Sequence, residues 1–109
     1  MPVNIPQYTA FDIETTGLYP QRGHRIIEIG AVSIQESKII DEFNILINCG
    51  RHITKKVQTI NGITNDMLRN QPTPEEALTR FMDFISNSIL VAHNAKFDIT
   101  FLRHELSSL

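Results

Sequence analysis

The sequence predicts an α/β domain: three strands in an antiparallel meander, a helix, a parallel strand and a second helix. Three observations predict it. Residues 7–13, 25–34 and 39–47 are rich in β-branched side chains and separated by polar turns, which is how short strands read. Thr73-Pro74-Glu75-Glu76 is a helix start, with Thr as N-cap, Pro at the first helical position and Glu three residues after the cap. The short apolar run Ile89-Leu90-Val91-Ala92 follows that helix, and a helical crossover makes it a parallel neighbour of the first strand.

In chain order, the first strand places Asp12 and Glu14 on one side and Phe11 and Ile13 on the other, because strand side chains alternate. Thr15-Thr16-Gly17 ends the strand, and Tyr19-Pro20-Gln21-Arg22-Gly23 reads as a loop. After the second strand, Glu36-Ser37-Lys38 forms a turn into a third whose Ile39, Phe43, Ile45 and Ile47 share a face, interrupted by Asp41. Residues 53–70 hold short helical pieces broken at Asn61-Gly62. On the capped helix, Ala77, Leu78, Phe81, Met82 and Ile85 form one apolar stripe that packs on the sheet. Ile89–Ala92 is expected to be buried, and the last helix begins at His93-Asn94-Ala95 and carries Phe97, Asp98, Phe101, Leu102 and Leu106.

At 109 residues the chain is one domain, read as a single unit over residues 1–109. No apolar run is long enough to span a bilayer and the N-terminus lacks a basic region followed by an apolar core, so a cytoplasmic protein without a membrane partner is expected. Cys49 is single and cannot form an internal disulfide; it reads as structural or incidental. The formal charge of −2 excludes a domain that holds nucleic acid by bulk electrostatics. Any such attraction must be local or carried by a metal.

Two carboxylates side by side repel each other, and such a pair persists where something positive lies between them. Oxygen-only ligands at a strand end suit Mg²⁺ or Mn²⁺.

Four segments, Phe11-Asp12-Ile13-Glu14-Thr15-Thr16-Gly17-Leu18, Arg25-Ile26-Ile27-Glu28-Ile29-Gly30-Ala31-Val32, Asn61-Gly62-Ile63-Thr64 and Val91-Ala92-His93-Asn94-Ala95-Lys96-Phe97-Asp98, together resemble the successive motifs of the DEDD-type 3′→5′ exonucleases. The likeness is to the branch that contains the proofreading subunit of bacterial DNA polymerase III, and it runs from Tyr8 to Leu106. It implies a ribonuclease H-like fold and a two-metal site of Mg²⁺ or Mn²⁺, with Asp12 bridging both ions and Glu14 and Asp98 each holding one side. It also implies substrate contacts from Thr15, Thr16, Leu18 and Asn61, with Leu18 as a wedge against the last bases.

The resemblance departs from the family at one point. The third motif, His-x(4)-Asp, which supplies the general base and fourth carboxylate, is expected beyond Leu109, together with a final strand and helix. His104 lies six residues past Asp98, well round the helix from it. His93 is read as satisfying backbone groups at its turn, without an acidic partner, and His24 and His52 are assigned nothing. The chain is therefore read as the N-terminal part of an exonuclease domain acting on single-stranded or frayed DNA 3′ ends, inactive or nearly so by itself. A polymerase subunit or fused module and a second copy along an uncovered sheet edge are the expected partners. The alternatives are a 3′ exoribonuclease of the same superfamily and a non-catalytic remnant that binds metal or a partner.

Overall fold

The computed structural model describes residues 5–109. Its elements are strands β1 (Gln7–Thr15), β2 (Ile26–Gln35) and β3 (Lys38–Leu46), helices α1 (Lys55–Asn61), α2 (Asn65–Leu68) and α3 (Pro74–Ile85), strand β4 (Ile89–Val91) and helix α4 (Ala95–Ser107). A single 3₁₀ turn, Pro20–Arg22, interrupts the loop between β1 and β2. The sheet order is β3-β2-β1-β4: β1–β2 and β2–β3 are antiparallel, and β4 lies parallel to β1 as the crossover rule requires. The expected α/β order is therefore observed.

One face of the sheet is packed and one is open. Phe11, Ile13, Ile29, Ala31 and Ile45 meet Ala77, Leu78, Phe81 and Ile85 of α3 and Phe101 and Leu102 of α4 in the main core. Helix α3 starts as its sequence dictates, with Thr73 Oγ1 accepting a hydrogen bond from Glu76 N at 3.3 Å and Pro74 in the first turn. A smaller core of Ile27, Cys49, Ile53, Ile63 and Leu68 seats α1 and α2, and gives Cys49 a packing role. The break at Asn61-Gly62 is a helix stop: Gly62 adopts φ 73° and closes α1.

Two β-bulges explain departures from simple alternation. Ile26 and Ile29 both reach the main core although three residues apart, because the register shifts opposite Glu14/Thr15 and Ile27 turns to the second core. A second shift, opposite Ser33/Ile34, pairs Ile39 with Ile34 on the open face. Ile39 is therefore exposed, a correction to the expectation that it shares a face with Phe43, Ile45 and Ile47. Met82 is also exposed, since α3 buries a narrower stripe than its spacing suggests. The β4 strand is not buried: Ile89 and Val91 project from the open face at the sheet edge, and only Leu90 packs on the core.

Candidate active site

Period-two geometry and the register of β2 put Asp12 opposite Gly30 and Glu14 opposite Glu28, all on the open face. Beside Asp12, the absence of a side chain at Gly30 opens a shallow cavity of about 290 Å³, shared with Ala10 and Val32. Asp98 reaches the same region from the first turn of α4. It is buried, and its pKa is pushed up to about 6, first by burial and then by the charge of Asp12, with His93 pulling the other way. Glu14 is also raised, by burial, then by Asp12, then by Glu28. Asp12 is thus the acid to which the other two are coupled. Among the described residues no group of three or more His, Cys, Asp and Glu is gathered closely enough to hold a metal ion.

The position of α4 is held from its other end. Glu105, seven residues and thus two turns beyond Asp98, is buried. Its carboxylate accepts from Arg25 Nε at 2.9 Å and Arg25 Nη2 at 2.7 Å, and from Ile26 N at 3.0 Å. A bidentate pair of this kind fixes direction as well as distance. It ties the C-terminal half of α4 to the start of β2.

Below Glu14 lies a cavity of about 510 Å³. Thr15, Thr16, Leu18 and Asn61 all line it, so the four expected substrate residues come together around one space. Their polar groups are largely committed to the local fold. Thr15 Oγ1 donates to Gly17 O at 2.6 Å, Arg25 N donates to Thr16 Oγ1 at 2.9 Å, and Ile63 N donates to Asn61 Oδ1 at 3.0 Å. Leu18 stays 65% exposed at the cavity wall and Ile60 73% exposed, so two aliphatic side chains are held in water there.

Several residues at the site escape the sequence reading. Glu28 stands opposite Glu14 and accepts from Asn44 Nδ2 at 3.2 Å; a charge inside an otherwise apolar strand is the signal that marks it. His24, assigned nothing, lines the cavity and accepts from Tyr19 N through Nδ1 at 2.9 Å. His93 is a correction: its ring is exposed rather than tied into the turn, it stands close enough to Asp98 to lower that pKa, and the two residues themselves have the His-x(4)-Asp spacing.

The exonuclease family model matches residues 9–109, which is nearly the whole chain. The chain belongs to the exonuclease family. Among curated relatives, DNA polymerase III PolC-type of Thermotoga petrophila is 51% identical over 96 residues, 88% of this chain and 7% of that protein. DNA polymerase III subunit epsilon of Treponema pallidum is 51% identical over 100 residues, 92% of this chain and 46% of that protein. The chain therefore spans less than half of the length of the curated relatives it matches. Exonuclease X, solved in complex with 5′ overhanging duplex DNA, aligns with a TM-score of 0.73 and 29% identity over 87% of this exonuclease chain and 53% of its own. The nuclease domain of 3′hExo, a DEDDh family member, aligns with a TM-score of 0.81 over 96% of this chain and 61% of its own, at 21% identity, and shows the shared ribonuclease H-like exonuclease fold.

Proposed function

We propose that the protein carrying this chain is a metal-dependent 3′→5′ exonuclease that removes nucleotides from DNA 3′ ends during replication or repair. The observation that carries the reading is the placement of three acids: Asp12 and Glu14 share one side of β1, and Asp98, buried in the first turn of α4, has its pKa pushed up by burial and then by the charge of Asp12. Asp12, Glu14 and Asp98 offer only oxygen donors, the set suited to Mg²⁺ or Mn²⁺. The chemistry such an ion would supply there is a lowered pKa for the attacking water and stabilisation of the departing 3′ oxygen. Asp12, whose charge acts on both neighbours, would hold the ion together with Glu14 and Asp98.

Leu18 presents apolar surface to the terminal base, and Thr15 and Thr16 order the backbone that receives the nucleotide. Asn61 closes the far side of the cavity. A wedge acts on bases that have left the duplex, which costs least at a frayed or mismatched end. The relatives named DNA polymerase III PolC-type and DNA polymerase III subunit epsilon support a polymerase catalytic subunit or fused module as partner. The exposed edge strand β4 is where a second copy would pair.

The test uses the longer protein that contains this chain. With Mg²⁺ or Mn²⁺, 5′-labelled DNA should shorten from its 3′ end, faster when the terminus is mismatched, and Asp12→Ala should abolish both the shortening and the heat of metal binding. Shortening from the 5′ end, or cleavage indifferent to chelation, would overturn the reading. Faster digestion of an RNA strand would move the substrate to RNA.

A further inference from the structure

We propose that Arg22 and Lys56 form a phosphodiester-binding wall on the cavity beneath Glu14, holding the strand one or more phosphates inside its 3′ end. The inference rests on the nucleic-acid reading above and assigns the residues that supply the local attraction which a net charge of −2 otherwise withholds. Both side chains line the 510 Å³ cavity, whose volume is that of a site for a ligand of nucleotide size. Glu14 lies on the same lining, with the apolar side chains of Leu18, Val57, Ile60 and Phe97. An acid, an apolar wall and two cations around one space match what a single strand presents: a reacting end, base faces and backbone phosphates.

The cations are available for an anion. Among the described residues the ion pairs are Arg25 with Glu105 and Arg69 with Asp66, so neither Arg22 nor Lys56 is neutralised by a carboxylate. Arg22 is also placed. Its guanidinium lies 4.9 Å from the centre of the Tyr19 ring, and the 3₁₀ turn that carries it closes with Gly23 at φ 85°. Tyr19 is fixed in turn by the hydrogen bond from its N–H to His24 Nδ1. A guanidinium ordered before the strand arrives loses less freedom on binding than a free one.

The test is the salt dependence of binding, by fluorescence anisotropy, of a labelled short oligothymidylate to the 109-residue chain and its variants. For single strands the slope of log affinity against log salt changes by about 0.7 for each phosphate contact. Arg22→Gln and Lys56→Gln should each make the slope shallower by about that amount, and the double variant by about twice as much. Arg80→Gln removes an exposed cation on α3 away from the cavity and should leave the slope unchanged. Unchanged slopes in the cavity variants, or an equal loss from Arg80→Gln, would overturn the wall while leaving the exonuclease reading in place. Failure of the unaltered chain to bind the strand at low salt would bring down the nucleic-acid reading itself, and this inference with it.

Discussion

Asp98 carries a cost in the folded protein. An acid whose pKa rises to about 6 from an ordinary value of 3.8 is disfavoured in the folded state once both forms are ionised. Below about pH 4 the carboxyl is protonated folded and unfolded, and the penalty is absent. Between about 4 and 6 the folded protein holds a proton that the unfolded chain has lost, so the penalty grows as pH rises and is complete above 6. At about 1.4 kcal/mol per pH unit the ceiling is about 3 kcal/mol. Asp98→Asn should therefore stabilise the metal-free protein at pH 7 by up to that amount and leave it little changed at pH 4, as read by urea unfolding at the two values. A loss of stability at pH 7 would show that the carboxylate is satisfied where it lies. Glu105 has the opposite balance: Glu105→Ala leaves Arg25 and Ile26 N without their partner and should cost about 2–3 kcal/mol, measured by the same unfolding.

Among the elements, the loop between β1 and β2 is tightly packed at Gly17. A Cβ on Gly17 would meet the His24 ring at 2.4–2.6 Å, and that ring is held by Tyr19 N, so the alanine cannot be accommodated by a small tilt. Gly17→Ala should expel His24 from its place and cost about 1–3 kcal/mol, in the range of other overpacked sites. An NMR shift of the His24 ring would report the expulsion, and an unmoved ring would refute it. At the start of α3, Thr73→Ala removes the acceptor for Glu76 N and should cost about 1 kcal/mol by thermal unfolding, with no change in metal affinity, because the side-chain hydrogen bonds of the cap run to Glu76 and not to Asp12, Glu14 or Asp98.

For the whole molecule, the two faces of the sheet differ. One face is closed by α3 and α4, while the other carries Asp12, Glu14 and Glu28 and the exposed side chains of Ile39, Ile89 and Val91. A divalent ion between the carboxylates would offset the burial, and after it the repulsion, that raise Asp98 and Glu14. Millimolar Mg²⁺ or Mn²⁺ should therefore raise the melting temperature by linkage, and Asp12→Ala should remove the rise. A rise of the same size in the variant would place the ion elsewhere.

Strand alternation was enough to put Asp12 and Glu14 on one side of β1, and local capping rules were enough to start α3 at Thr73 and stop α1 at Gly62, because these depend on neighbours in sequence. The grouping of Asp98 with Asp12 is expected only through the motif resemblance, since 85 residues of intervening chain must fold before the charge of one can act on the other. Glu28, His24 and Glu105 stayed unread for the same reason: their roles lie in a cross-strand register, a ring packed on a glycine and a pair 80 residues apart in sequence. Ile39 was misplaced because alternation carries no mark of a bulge, and one extra residue turns a side chain from the core to water. Local spacing determined which residues could serve on each element; only tertiary packing decided which of them meet, because burial and charge coupling arise between elements that the sequence holds far apart.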